Sequence, residues 1–221
     1  MEKHDLLTFD ILGKRYALPY AKGANRTKSH ILMESTVLFA MKGFSAVSMK
    51  DIAQKVGITP AALYNHFASK DNLWEEVMDH SVRLFHLYHD QLDEELKKAA
   101  SFEEILRVLF EEPSEMKNVF TCFGFGLIMK EQFRDVRAGK LFREVFIGFS
   151  AAFAKKWFDN AVERGLADPF DTKTTSAVFV HSVMLCIDLR VQELMNPGIT
   201  FDIPKYFDGL RLFVLRAAGR R

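Results

Sequence analysis

The chain has 221 residues, of which 48% are hydrophobic and 27% are charged, and its formal net charge is +1. This composition is typical of a globular protein and excludes a disordered scaffold. Two cysteines without a Cys-x-x-Cys pair exclude a disulfide framework and a cysteine-based zinc cluster. No apolar run reaches the ~20 residues of a membrane-spanning helix, and the charged start is unlike a secretory signal, so we expect a cytoplasmic protein with no membrane partner.

The basic residues are unevenly distributed along the chain. Positions 13–70 hold nine Lys or Arg residues against two acids, Glu34 and Asp51, so this segment carries +7 and the remainder −6. A positive segment in a nearly neutral chain indicates a site for a polyanion. A solvated basic surface with no partner is the alternative, and charge alone does not separate the two.

The first 24 residues differ in pattern from the rest of the sequence. Leu7, Phe9 and Ile11 alternate with polar residues, Gly13-Lys14 follows, and a second short run leads to Pro19. Alternation on both sides of a Gly-containing pair predicts a small β-hairpin or an extended arm. Its basic residues could lie in a DNA minor groove, or the arm could pack on its own protein, and the sequence leaves both open.

From about residue 25 onward, apolar residues recur three and four positions apart between well-separated prolines. Phe142, Phe146, Phe149 and Phe153 are one such series, with the period of an α-helix. The sequence therefore predicts an all-α fold, with the possible hairpin as its one β element.

A helix-turn-helix is predicted between residues 48 and 67. Ser48 and Asp51 have the spacing of a capping box at the start of a first short helix, and Gly57 suits the left-handed residue that ends it. After a three-residue turn, Thr59-Pro60 provides a cap and a first-turn proline for a second helix.

The second helix has the side chains expected of a recognition helix. Leu63 and Phe67 lie four apart and would pack inward against the first helix. Small residues would let the outward side enter a major groove ~12 Å wide, where an asparagine can form two hydrogen bonds with an adenine edge. Lys70 and the helix start at Ser48 would face phosphate.

The residues from Ile31 to Leu73 closely resemble the DNA-binding domain of the tetracycline-repressor (TetR) family. The matching features are Phe39, Gly43-Phe44, Ser48, Asp51-Ile52-Ala53, Val56-Gly57-Ile58, Leu63-Tyr64-Asn65-His66-Phe67 and Ser69-Lys70. His66 departs from the family pattern, which has an aromatic residue there, and Ala61-Ala62 replace more polar residues.

The resemblance implies a helical homodimer that reads the two half-sites of a double-stranded operator, with a C-terminal domain that binds a small ligand. It divides the chain into an arm (1–24), a DNA-binding domain (25–72) and an effector-binding and dimerisation domain (73–221). Together with the basic residues that follow the arm, it gives the candidate DNA contacts Arg26, Lys28, Ser48, Thr59, Pro60, Ala61, Ala62, Tyr64, Asn65, His66 and Lys70.

The C-terminal part is rich in phenylalanine, with 21 in the whole chain. Gly124 and Gly126 interrupt a run of bulky residues and leave room for a cavity or for a close helix crossing. As a group, these residues suggest a pocket for a small apolar or aromatic effector, although each ring taken singly is expected in the core. The candidate pocket residues are Phe120, Phe123, Phe125, Met129, Phe149, Phe153, His181 and Met184.

The last two predicted helices, interrupted by Asn196-Pro197-Gly198, correspond by the resemblance to a four-helix dimer interface. A monomeric core is the competing interpretation. The candidate interface residues are Val180, Met184, Ile187, Val191, Leu210, Phe213 and Val214.

Catalysis is not indicated. His86 and His89 lie one turn apart, a spacing that can bind zinc, but the Glu of His-Glu-x-x-His is absent and we expect a solvated helix face. No nucleotide-binding or nucleophile motif occurs, so we expect no catalytic residue, metal or cofactor. The sequence predicts a ligand-responsive repressor that binds a palindromic operator as a homodimer. The alternatives are a helical small-molecule binding protein or enzyme with a vestigial helix-turn-helix, and an activator or DNA-organising protein without an effector.

Overall fold

A computed structural model describes residues 6–11, 14–19, 25–115, 119–196 and 198–219, with side chains over 25–110, 122–196 and 198–219. The chain starts with the antiparallel pair β1 (Leu6–Ile11) and β2 (Lys14–Pro19). Leu6 lies opposite Pro19, and Ile11 opposite Lys14. The hairpin expected from the alternating pattern is therefore confirmed.

Four helices follow, α1 (Arg26–Lys42), α2 (Met49–Val56), α3 (Pro60–Tyr64) and α4 (Lys70–Leu96). Every residue from 31 to 40 is buried, so α1 is the central helix of this part of the chain. It packs against α2, α4 and α6. The predicted helix-turn-helix is α2 and α3.

The remaining helices are α5 (Phe102–Glu115), α6 (Val119–Glu131), α7 (Val136–Leu141), a π-helical segment (Phe142–Phe149), α8 (Ser150–Glu163), α9 (Thr172–Met195) and α10 (Ile203–Ala217). We call this part the body. The phenylalanine series that predicts an α-helix begins in the π-helical segment, a rare geometry that occurs frequently at functional sites. The all-α fold class is confirmed.

Two glycines allow α6 to cross its neighbours closely. A Cβ at Gly124 would lie 2.6 Å from Ser81 Oγ on α4, and a Cβ at Gly126 would lie 2.9 Å from Val191 Cγ1 on α9. Both distances are shorter than side chains tolerate without displacement. Of the two roles left open for these glycines, the structure supports close helix crossing.

Most of the candidate interface residues lie inside the protomer. Val180, Met184, Val191, Leu210 and Val214 are buried and Ile187 is half-buried, which leaves Phe213 as the exposed member, at 46%. The prediction that these buried residues form a dimer interface is therefore wrong, because their side chains fill the core of the body. Instead, α9 exposes a shallow groove that we call its outer face, lined by Ala177, Val178, His181, Ser182 and Leu185.

Among the described helices, α9 alone is long and apolar enough to cross a membrane by length and composition. Its most apolar window is 44% buried, and the helix packs against α8 and α10. Core helices of soluble proteins have the same properties.

Candidate nucleic-acid interface

Short-range hydrogen bonds fix where α2 begins. The backbone N–H and the hydroxyl of Ser48 both donate to Asp51 Oδ2, at 2.8 and 2.6 Å, and the Asp51 N–H donates to Ser48 Oγ at 3.2 Å. The two bonds donated by Ser48 lower the pKa of the Asp51 carboxyl, so the capping box contains a carboxylate at neutral pH.

The turn and α3 follow from equally local chemistry. Gly57 ends α2 in the left-handed conformation, with φ of +78°, which glycine adopts without a steric penalty. Thr59 Oγ1 accepts a hydrogen bond from the Ala62 N–H at 3.1 Å, and Pro60 occupies the first turn. These contacts set the angle at which α3 leaves α2.

Buried side chains hold α3 against α2. Leu63 and Phe67 are almost fully buried, as are Ile52 and Ala53 of α2. Burying a side chain of the size of Leu or Phe contributes about 1.5–3 kcal/mol, so the inner face keeps the short helix in place and its other face turned outward.

The outer face of α3 is open to solvent. Tyr64 is 52% exposed, Asn65 is exposed, and His66 and Ala62 are half-buried. Thr59, Pro60 and Ala61 are also exposed. The structure thus leaves the candidate base-reading residues accessible to a partner, and DNA contact by them remains a prediction.

The candidate cations at the edge of this surface differ in their surroundings. Arg26 is exposed at the start of α1, whose cap is Asn25. Lys28 instead lies within α1, pairs with Glu76 Oε1 at 2.7 Å, and lies 5.3 Å from the centre of the Phe67 ring. Lys28 therefore forms an ion pair that joins α1 to α4. The sequence did not indicate this contact.

Lys70 begins α4 beside the ring of Phe44. Its Nζ lies 4.3 Å from the ring centroid, within the range of an attractive cation–π contact. Phe44 in turn packs on Trp74, with ring centroids 5.2 Å apart. Phe44 belongs to the region of resemblance, but its contact with Lys70, a candidate phosphate-binding residue, was not predicted from the sequence.

A buried carboxylate was also missed. Glu34 of α1 is 3% exposed, and its oxygens lie 3.8 Å from Lys55 Nζ of α2 and 3.8 Å from His30 Nε2. A buried carboxylate without a nearby cation would be strongly destabilising. Glu34 therefore contributes to the packing of α1 against α2. The helical periodicity of the sequence does not show that this glutamate is buried.

The candidate effector residues lie in different surroundings in the described part of the chain. Phe123 and Phe125 are buried in the core, Met129 and Phe153 are half-buried, and Phe149 is partly exposed. His181 lies on the outer face of α9, whereas Met184 is buried, and binding of an effector by either residue stays a prediction. The side chain of Phe120 lies outside the described residues.

Two of these rings, Phe149 and Phe153, pack around His89 together with Phe85. His89 is 7% exposed and its ring lies 4.2, 5.2 and 4.9 Å from the rings of Phe85, Phe149 and Phe153. Burial lowers the pKa of His89 to about 4, so the imidazole is neutral near pH 7. The prediction that His89 belongs to a solvated face is wrong, because the aromatic residues of the π-helical segment and α8 cover it.

Comparison with known proteins agrees with this geometry. Residues 31–77 match the family described as bacterial regulatory proteins, tetR family. A similar curated protein is the HTH-type transcriptional repressor KstR2 of Mycolicibacterium smegmatis, 37% identical over 67 residues. That match covers 30% of this chain and 33% of the relative, so the chain matches about a third of the curated relative's length.

The likeness of fold extends over most of the chain. A TetR-family regulator from Mesorhizobium loti has a TM-score of 0.65 at 20% identity, covering 89% of this chain and 98% of that one. The structure of AibR in complex with isovaleryl coenzyme A and operator DNA has a TM-score of 0.63 at 18% identity, covering 85% and 97%. At such identities the likeness shows the fold alone.

Proposed function

We propose that the protein is a ligand-responsive, cytoplasmic transcriptional repressor, on the premise that its residues 31–77 match the tetR family of bacterial regulatory proteins. In this proposal it binds a palindromic operator as a homodimer and performs no catalysis. The N-terminal domain, residues 25–72, reads the DNA, and the body, residues 73–221, dimerises and receives the effector.

The observation that carries the proposal is the exposure of α3. The helix is fixed on its inner side by Leu63 and capped by Thr59, while Tyr64 and Asn65 face solvent. A rigid short helix with a small and polar outer surface suits the major groove. The concentration of positive charge in positions 13–70 supplies attraction to phosphate.

A second copy of the chain is the partner proposed for α9 and α10. Val178 and Leu185 on α9, and Leu212 and Phe213 on α10, are large apolar residues that are between 41% and 55% exposed. Covering them in a two-fold interface would remove apolar surface from water. The same symmetry would present two copies of α3 to half-sites ~34–36 Å apart.

A small apolar or aromatic effector is the ligand proposed for the body. Aromatic rings are concentrated where the π-helical segment packs on α4 and α6, with Phe146 lying 4.7 Å from Phe85 and 5.1 Å from Phe125. The related AibR is described with isovaleryl coenzyme A bound. Binding that favours one dimer geometry would change the spacing of the two α3 helices and release the operator.

Selection from a random duplex library tests the function. We expect the protein to enrich a palindromic sequence and to lose roughly 10³–10⁵ in affinity for it between about 50 and 200 mM salt, as for ~6–10 phosphate contacts. A protein that enriches no sequence and shows no salt-dependent binding would instead fit the alternative of a helical binding protein with a vestigial helix-turn-helix.

A further inference from the structure

We propose that Glu131, in the last turn of α6, is a positioning residue that holds Phe44 and, through Phe44, places the ammonium group of Lys70 for contact with a DNA phosphate. The proposal rests on the DNA-binding function proposed above. It adds to that function a residue of the body that determines the geometry at the edge of the DNA-binding surface.

The first step is a hydrogen bond between residues 87 positions apart. Glu131 is 4% exposed, and its Oε1 accepts a hydrogen bond from the backbone N–H of Phe44 at 3.2 Å. Phe44 follows Gly43, which ends α1 with φ of +87°, and a Cβ at Gly43 would lie 3.5 Å from the same oxygen. A buried carboxylate needs a donor, and the backbone just after α1 supplies one.

Lys130, which precedes Glu131 in α6, forms a second hydrogen bond to the end of α1. Lys130 Nζ donates to the carbonyl oxygen of Ala40, in the last turn of α1, at 3.3 Å. A cation is favourable at the C-terminal end of a helix, where carbonyl groups lack partners within the helix. Two consecutive residues of α6 therefore hold the end of α1, one by its carbonyl and one by the amide that follows it.

The ring of Phe44 is held by packing, in addition to the hydrogen bond that holds its backbone. The ring lies 5.4 Å from the ring of Phe39 and 5.2 Å from that of Trp74, and both neighbours are fully buried. With its amide bound by Glu131 and its ring packed on two buried aromatic residues, Phe44 has a fixed orientation.

The ammonium group of Lys70 lies over the ring of Phe44. Lys70 Nζ lies 4.3 Å from the centroid of Phe44, and attraction by the ring face favours that position of a long, flexible side chain. The ammonium has three N–H donors, and those that point away from the ring remain able to bind phosphate oxygen. Because the Lys70 side chain is already ordered in the free protein, it loses less conformational entropy when it binds DNA.

The experiment compares Glu131→Ala with Glu131→Gln, in which the amide oxygen can still accept from the Phe44 N–H. The probe is the duplex enriched from the random library, with binding measured over a range of salt. We expect Glu131→Ala to weaken binding roughly three- to tenfold and to reduce the salt slope by about 1, as Lys70→Ala does, whereas Glu131→Gln stays near wild type. Glu163→Ala, which removes an exposed carboxylate of α8, is the control.

A double-mutant cycle separates positioning from a general loss of structure. If Glu131 acts through Lys70, the replacement Glu131→Ala has little further effect on DNA affinity in a Lys70→Ala background. Additive losses would overturn the proposal. An unchanged salt slope in Glu131→Ala would do the same.

Hydrogen exchange of the Phe44 amide makes the test independent of DNA. We expect exchange to be faster in Glu131→Ala than in Glu131→Gln, after correction for any change in global stability. If the wild-type protein binds no duplex, the proposed function fails. In that outcome, equal exchange of the Phe44 amide in the wild type and in Glu131→Ala would show in addition that Glu131 does not hold this amide.

Discussion

The indole N–H of Trp74 donates a hydrogen bond to the carboxylate of Asp135 at 2.8 Å, which joins α4 to the start of α7. The same carboxylate accepts from the backbone N–H groups of Arg137 and Ala138, at 2.7 and 3.3 Å. It also lies 2.9 Å from the Arg137 guanidinium. One side chain thus caps α7, forms an ion pair and satisfies a buried indole, which needs a hydrogen-bond partner.

This arrangement predicts a loss of stability in acid. Burial alone would raise the pKa of Asp135, but hydrogen bonds from Arg137, Trp74 and Ala138 lower it to about 2, against about 3.9 in an unfolded chain. Because the pKa is lower in the folded state, the stabilisation is present above pH ~4 and is lost as the pH falls towards 2. Urea unfolding should show the wild type losing about 1 kcal/mol more than Asp135→Asn between pH ~6 and ~3.

The exposed Asp79 of α4 provides the comparison for Asp135. Asp79→Asn, which removes one exposed carboxylate of α4, is unfolded over the same pH range. An Asp135→Asn protein that loses stability in acid as steeply as the wild type would show that the Trp74 and Arg137 contacts do not control this titration.

His89 predicts a second acid effect at higher pH. Its pKa is about 4 in the folded protein, lowered first by burial, and about 6.5 when unfolded. The stabilisation is therefore complete above pH ~6.5 and is lost as the pH falls through ~4, by about 3 kcal/mol in total. His89→Phe should flatten the unfolding free energy over this interval, since a phenyl ring also packs on Phe85 and Phe153 but takes up no proton.

A second histidine variant is the comparison for His89. His66→Gln, which removes a half-buried histidine beside α3 and outside the proposed dimer face, is unfolded in parallel with the wild type, whose loss of stability lies between pH ~7 and ~4. If His89→Phe retained it as well, protonation of this buried imidazole would not be what destabilises the fold.

The sequence predicts the parts of the site whose contacts are local. The capping box of Ser48 and Asp51 spans three positions, Gly57 needs only its own conformation, and Thr59 caps a residue three positions away. These signals determine the backbone of the helix-turn-helix and leave α3 exposed. The same locality explains why the hairpin is predictable from its alternating residues.

The long-range contacts are not predictable from these patterns. Glu131 and Phe44 are 87 positions apart, and Trp74 and Asp135 are 61 positions apart. A helical period shows that a face is apolar but not which element covers it. Hence the buried residues Val180 and Val214 are interpreted from sequence as an interface, and His89 as a solvated residue.

Base readout and phosphate contact should respond differently to mutation. Asn65 is exposed on the α3 side of the surface, and Lys70 lies at its edge over Phe44. We expect Asn65→Ala to relax the preference for one base, at a cost of about 1–3 kcal/mol on the enriched duplex, and to leave non-specific binding unchanged. Lys70→Ala should weaken all sequences alike and lower the salt slope by about 1. Equal, sequence-independent losses in both variants would argue against direct readout by Asn65.

The choice of dimer face can be tested with two leucines of nearly equal exposure. Leu185 on the outer face of α9 is 55% exposed and Leu87 on α4 is 57% exposed. A charge buried in an apolar interface without a partner is strongly unfavourable, so Leu185→Glu should shift the protein from dimer to monomer in sedimentation experiments, whereas Leu87→Glu should leave the dimer intact. The monomer should lose the cooperative binding of two half-sites while its α3 remains folded. A Leu185→Glu protein that stays dimeric would place the interface elsewhere on the body.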